Sequence, residues 1–281
     1  MTTPTTTVRR RAQRPTTATP AATPAAAVRP SVPASVFSRL EKPGTATHLK
    51  GVLFGPSKTG KTVASVSGKG KKLLVLTEPD GDLSIVGRKD VAVLKPANWK
   101  DMDEIIRELH GSEREHWEWV IFDSVTFMFE VIGAKDILKT LSENRDARRS
   151  YLNAGAAVNQ LIHDAVALPT NVIFITQMRI DEADEESGEV PLDPEAGEYN
   201  WTLAVTPMVY KVLAPAVSFL GRTYKKVGYE GAQGKPRKKV SQYWTSFEDF
   251  GRSPAGARFP VPEQVQNLDL GKLLATVKGG E

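Results

Sequence analysis

The stretch Gly55-Pro56-Ser57-Lys58-Thr59-Gly60-Lys61-Thr62 constrains this chain more than any other. It fits G-x-x-x-x-G-K-[ST], follows the apolar run Gly51-Val52-Leu53-Phe54 directly, and precedes a helix-forming run from Thr62 to Ser67. Strand, glycine loop, then helix is the context in which the pattern acts. The glycines let the loop curl until successive backbone N–H groups face one phosphate, and the following helix adds the positive end of its dipole. Lys61 then reaches the β- and γ-phosphates of a nucleoside triphosphate, and the Thr62 hydroxyl ligates Mg²⁺. ATP with Mg²⁺ is the expected ligand pair.

Around this loop, short apolar runs alternate with amphipathic stretches from Val36 onward, the mark of an α/β layer fold with a mainly parallel sheet. Strands are predicted at His48 to Phe54, Lys72 to Thr77, Val91 to Leu94, Trp117 to Phe122, Asn171 to Thr176 and Ala216 to Thr223. Helices are predicted from Gly60, from an N-cap at Asn98, from Val125, and from near Ser150 to about Ala167. A C-terminal hairpin over 219–247, with its tip at Lys225 to Lys239, and a short final helix from Leu268 to Val277 complete the body.

Residues 1–36 differ in kind: they are mostly Thr, Ala, Pro and Arg, and cannot bury enough surface to offset their ordering entropy. They are expected to form a disordered tail ahead of one domain over 37–281. The tail carries five Arg and no acid, so of the formal charge of +4 the remainder holds −1. A nearly neutral body with a basic tail suits either an electrostatic nucleic-acid arm or a solubilising leader. Cysteine is absent, which excludes disulfides and thiolate metal sites, and the four histidines are scattered. No apolar run is long enough for a bilayer span, and the N-terminus lacks the apolar core of a secretory signal, so a soluble, cytoplasmic protein without membrane contact is expected.

Hydrolysis needs an acid to hold the metal, expected at the end of a buried strand next to the phosphate loop. Trp119-Val120-Ile121-Phe122-Asp123 supplies it. With Asp123-Ser124-Val125, two further stretches resemble the RecA family of P-loop ATPases. Leu73-Leu74-Val75-Leu76-Thr77-Glu78 is similar to the strand that ends in the catalytic glutamate, and Asn171-Val172-Ile173-Phe174-Ile175-Thr176-Gln177-Met178-Arg179 to the strand that ends in a DNA-sensing Gln. The order and spacing agree over roughly residues 45 to 225. A core-only, RecA-like ATPase with a C-terminal hairpin resembles the phage single-strand annealing proteins of the Sak group and phage AAA-type nucleotide-binding proteins.

The resemblance implies that Glu78, on the strand next to the phosphate loop, orients the attacking water, and that Gln177 links the γ-phosphate to DNA; the residues alone also read as a strand-end carboxylate facing solvent at Glu78 and a satisfied polar strand end at Gln177. It implies a homo-oligomer, ring or filament, with ATP at the subunit interfaces and a trans-acting Arg258, with Arg252 as runner-up, although the Lys of the family's Lys-x-Arg pair is missing and the other reading of either one is a surface Arg. It also implies a DNA path: Arg145, Arg148 and Arg149 on the first loop, or else a solvated helix connection there, and Arg179 at the start of the second. That second loop departs from the pattern, since residues 181–198 carry nine acids and no base, so either DNA is held mainly through the first loop, the basic tail and the hairpin cations Arg222, Lys225, Lys226, Lys235, Arg237, Lys238 and Lys239, or DNA is not the main partner. The function expected is an ATP-dependent recombination protein that binds single-stranded DNA and promotes annealing or strand exchange, with a single-strand-binding protein as a further partner. The alternative is a nucleotide-switched loader with little DNA affinity.

Overall fold

The computed structural model describes residues 48–129, 147–181, 200–230, 238–248 and 254–278. All of them fall within one compact unit, Pro43–Glu281. The expected tail and its boundary at residue 36 lie outside the described residues.

In chain order the elements are β1 (Lys50–Gly55), α1 (Lys61–Ser65), β2 (Lys72–Leu76), a 3-10 turn (Gly81–Ile85), β3 (Val91–Leu94), α2 (Trp99–His110), β4 (Trp119–Asp123), α3 (Val125–Phe127), α4 (Ala147–Ala167), β5 (Asn171–Asp181), β6 (Asn200–Leu203), α5 (Pro207–Ala216), β7 (Phe219–Glu230), β8 (Lys238–Ser246), β9 (Gly256–Ala257), β10 (Gln264–Gln266) and α6 (Leu270–Val277). The main sheet has the order β10-β8-β7-β1-β5-β4-β2-β3. From β3 to β7 every neighbour is parallel; β8 and β10 add antiparallel strands at one edge. The α/β class with a mainly parallel sheet is therefore as expected.

Each central strand is buried on both faces, which is why β1, β2 and β4 read as near-continuous apolar runs rather than alternating ones. One face packs Val52, Phe54, Val120, Phe122, Val172 and Phe174 against α2, α4 and α5. The other packs Leu53, Leu74, Ile121, Ile173 and Ile175 against Val66 after α1 and Leu270 and Leu273 of α6. The helices bury their spaced apolar residues here: Met102, Ile105, Ile106 and Leu109 of α2 fall at i, i+3, i+4 and i+7. The Asn98 side chain accepts from Asp101 N and starts that helix at the predicted place.

Three expectations need correction. The stretch from Ala216 is not yet strand: Thr206 caps a helix with Pro207 in its first turn, and Ala216 ends it, so β7 begins at Phe219. The hairpin tip is also shorter than predicted, because the β7–β8 ladder runs through Glu230↔Lys238. Finally, neither the Asp123 strand nor the Glu78 strand lies next to β1. β5 is inserted between β1 and β4, and β2 lies beyond β4.

Candidate functional site

The parallel strands β1, β2, β4 and β5 all point their carboxyl ends to one edge of the sheet, which collects the residues that leave them. At β1 the chain turns into the glycine loop. Gly55 is required there by close approach, since a Cβ on it would lie 2.3 Å from the Thr223 carbonyl oxygen. Gly60 has φ +85°, a left-handed backbone that glycine adopts without strain, and it turns the loop into α1. The Thr59 hydroxyl bonds the Pro56 carbonyl at 2.8 Å and the Thr223 hydroxyl at 2.7 Å, which ties the loop to the neighbouring β7.

Lys61, only 6% exposed, folds back over this loop. Its amino group donates to the carbonyls of Gly55 (2.9 Å) and Pro56 (2.8 Å) and to the Gln177 side-chain oxygen (3.1 Å). Burial holds its pKa below the ordinary lysine value, against the pull of Glu78 and Asp123. The Gln177 amide nitrogen in turn donates to Glu78 Oε2 at 3.0 Å, and the Gln177 backbone N–H is held by the Thr126 hydroxyl at 3.0 Å. Lys61, Gln177 and Glu78 thus form one continuous chain of contacts, although they come from the start of α1, from within β5, which runs on to Asp181 instead of ending at Thr176 as expected, and from the segment after β2.

Glu78 reaches this place because the chain leaving β2 crosses over the end of β4: Thr77 N and Glu78 N both donate to the Asp123 carbonyl, at 2.7 and 3.2 Å. The Thr77 hydroxyl adds a bond to the Ser124 carbonyl at 2.8 Å. The insertion of β5 explains the geometry, for it delivers Gln177 between Lys61 and Glu78, where an adjacent pair of strands would leave no room for it.

Asp123 is 2% exposed and accepts from the Thr62 hydroxyl at 2.6 Å. Burial, offset in part by that hydrogen bond and reinforced by Glu78, raises its pKa to about 6. A carboxylate and a hydroxyl in contact beside a lysine are hard oxygen donors of the type Mg²⁺ takes together with phosphate oxygens and water, so these residues fit the ion.

The remaining predicted residues are placed as follows. Arg179 is exposed and shares the face of β5 with Gln177, two positions on. Arg145, Lys235, Arg237 and Arg252 lie outside the described residues, and Arg148 and Arg149 are placed by backbone alone, in the first turn of α4. Arg258 is not brought to this edge. It follows β9, which pairs with Phe219 at the amino end of β7, and its guanidinium donates to the Pro215 carbonyl at 2.5 Å. The acidic stretch 182–198 is outside the described residues.

The sequence did not point to what closes the loop's other side. Tyr243 of β8 stands over Gly60, where an added Cβ would lie 3.2 Å from its ring. Between α1 and β8 lies a cavity of about 600 Å³ lined by Gly60, Val63, Arg88, Tyr243 and Asn267.

A family described as an AAA domain matches residues 47–253, the span that contains the glycine loop, Lys61, Thr62, Glu78, Asp123 and Gln177. The chain belongs to that AAA-domain family. At the level of the family it is a nucleotide-binding P-loop ATPase, on the mainly parallel α/β sheet described above. No curated protein matches the chain. Among solved structures, it is similar to the crystal structure of the RadB recombinase, at 17% identity over 70% of this chain and 86% of that one, with a TM-score of 0.36. It is also similar to the flagellar accessory protein FlaH from Methanocaldococcus jannaschii, at 10% identity over 78% and 84%, with a TM-score of 0.37. Among the described residues, no helix is long and apolar enough to cross a membrane.

Proposed function

We propose that this AAA-domain ATPase is a DNA recombination protein that binds single-stranded DNA under the control of ATP and promotes annealing or strand exchange. The observation that supports this most is Gln177, which touches Lys61 with one end of its amide and Glu78 with the other. Its strand then continues through Arg179 away from the site. A γ-phosphate entering the loop competes for the Lys61 amino group, which now rests on neutral oxygens, and so changes the partner of Gln177. Mg²⁺ bound by Thr62 and Asp123 would neutralise charge that develops on the phosphates. Glu78 is the carboxylate within reach of that space that can orient and polarise the attacking water. The nucleoside would occupy the cavity under Tyr243, a ring suited to stacking.

In this reading the active form is a homo-oligomer, ring or filament. Arg258 would serve a neighbouring subunit's site, consistent with its distance from its own. Arg145, Arg148, Arg149 and Arg179 would meet DNA phosphates. The protein would work in the cytoplasm of a phage-infected cell, as the Sak-group resemblance implies, with a single-strand-binding protein as a further partner.

One observation favours a second reading: the nine acids over 181–198 would repel a phosphate backbone next to Arg179. They suit a nucleotide-switched loader that grips a protein partner instead. An ATPase assay with and without single-stranded DNA separates the two. The recombination reading expects at least several-fold stimulation in the parent, and its loss in Gln177→Ala with Mg-ATP still bound. Indifference of the parent to DNA favours the loader.

A further inference from the structure

The register of the sheet leaves part of the β7–β8 ribbon without support. β1 ends its pairing with β7 at Phe54↔Arg222, whereas β7 continues to Glu230, always paired with β8. Residues 223–230 therefore overhang the phosphate-loop edge of the sheet by roughly 25 Å, at ~3.3 Å per residue.

The two strands carry Arg222, Lys225, Lys226, Lys238 and Lys239 against the single acid Glu230. This excess of +4 lies in a body that sums to −1 beyond the tail, so the rest of that body holds −5 and the ribbon stands out against it. Aromatic rings are interleaved with the cations. Tyr224 and Trp244 sit opposite each other in the ladder. Lys226 lies 4.6 Å from the Trp244 ring and 5.4 Å from the Tyr224 ring, and Arg222 lies 5.6 Å from Tyr224. The Tyr224 hydroxyl donates to Gln264 of β10 at 2.7 Å, which fixes that ring. Lys225 and Lys226 are exposed.

We infer that this ribbon is a binding platform for single-stranded nucleic acid. Its lysines take the phosphates, and the Tyr224 and Trp244 faces take bases once Lys226 moves from the rings to the backbone. An acidic protein surface would match the charge but gives no role to the paired rings, and a duplex hides the base faces that the rings would stack on. The root of the ribbon is joined to the phosphate loop through Thr59 and Thr223 and through Tyr243 over Gly60, so strand binding and nucleotide binding share one rigid connection. This rests on the DNA-binding reading above and adds to it a site on a different element from the Arg145 to Arg149 loop.

The test is fluorescence anisotropy of a labelled oligo-dT with the full chain, Mg²⁺ and a non-hydrolysable ATP analogue, across a salt series. Lys226, on the same face as Tyr224 and Trp244, is the phosphate contact to remove, and Lys226→Gln should lower the slope of log affinity against log salt by about 0.7, the value for one phosphate contact on a single strand. Tyr224→Leu should weaken binding roughly 5- to 100-fold, the loss of one stacked base. Tyr224→Phe, which keeps the ring and removes only the bond to Gln264, should bind like the parent and so separates stacking from folding. If the parent binds and all three variants bind as it does, the ribbon is not the platform, while the DNA reading stands. Should Tyr224→Leu lose duplex binding as much as single-strand binding, the stacking role is overturned. A parent that fails to bind oligo-dT in any nucleotide state removes the DNA reading, and the ribbon platform with it.

Discussion

Lys61 and Lys72 are both buried, at opposite edges of the same sheet, and they differ in what holds them. At the amino edge, Lys72 is fully enclosed and its amino group meets the Gly70 carbonyl at 2.7 Å and the Asp90 carboxylate at 2.5 Å. Asp90 is also bound by Arg88, and these two partners hold its carboxyl well below the usual carboxylate range. This charge is already compensated. Lys50, at the same edge, is less buried and donates to the neutral carbonyls of Leu168 and Thr170; it differs from Lys61 in having, among the described residues, no carboxylate acting on it. At the carboxyl edge, Lys61 has neutral hydrogen-bond partners, two of them carbonyls of the loop itself, while Glu78 and Asp123 act on it only at longer range. A buried cation held this way gains most when an anion arrives. Burial of a lysine thus says little about its role, and the partner set says much.

The largest effect expected from this contrast is chemical. Glu78→Gln keeps the hydrogen-bonding shape beside Gln177 and removes the carboxylate, so ATP turnover should fall roughly 10²- to 10⁴-fold while Mg-ATP still binds. Steady-state hydrolysis with a parallel binding titration checks it, and normal turnover would assign the water to another group.

Next in size is Lys72→Ala. It empties a buried site, but Asp90 remains half-exposed and bound to Arg88, so a loss of about 1–3 kcal/mol in urea unfolding is expected, with Mg-ATP affinity unchanged. A loss of nucleotide affinity without a loss of stability would erase the distinction between the two edges.

The smallest effect is one of pH. Burial lowers the pKa of Lys50 to about 8. Between there and the ordinary value near 10.5 the unfolded chain binds more protons than the folded one, so stability should rise as pH rises through this window, by at most about 3 kcal/mol. Lys50→Met should flatten that rise; an equal rise in the variant would place its cause elsewhere.

How much was legible in the sequence follows from the range of each interaction. The loop, Thr62 and the strand ending in Asp123 are local patterns, readable from consecutive residues. That Glu78 and Gln177 share the site came from the resemblance to RecA-like strands, because nothing local says which strand ends become neighbours. The insertion of β5 between β1 and β4, which makes the Lys61–Gln177–Glu78 contacts possible, is a property of strand order alone. Thr223 and Tyr243 were not legible: they reach the loop from the far part of the chain, through a ladder whose register no short motif encodes. α5 was missed although Thr206-Pro207 signalled it, because the apolar run through Val217 to Leu220 reads as one continuous strand.

The central claim is that the carboxyl edge is a triphosphate site built on Lys61, and a calorimetric titration of Mg-ATP into the parent and into Lys61→Ala tests it most directly. Saturable binding is expected in the parent, and in Lys61→Ala, with its fold intact by circular dichroism, a loss of measurable binding. Equal affinity in the two proteins would contradict it.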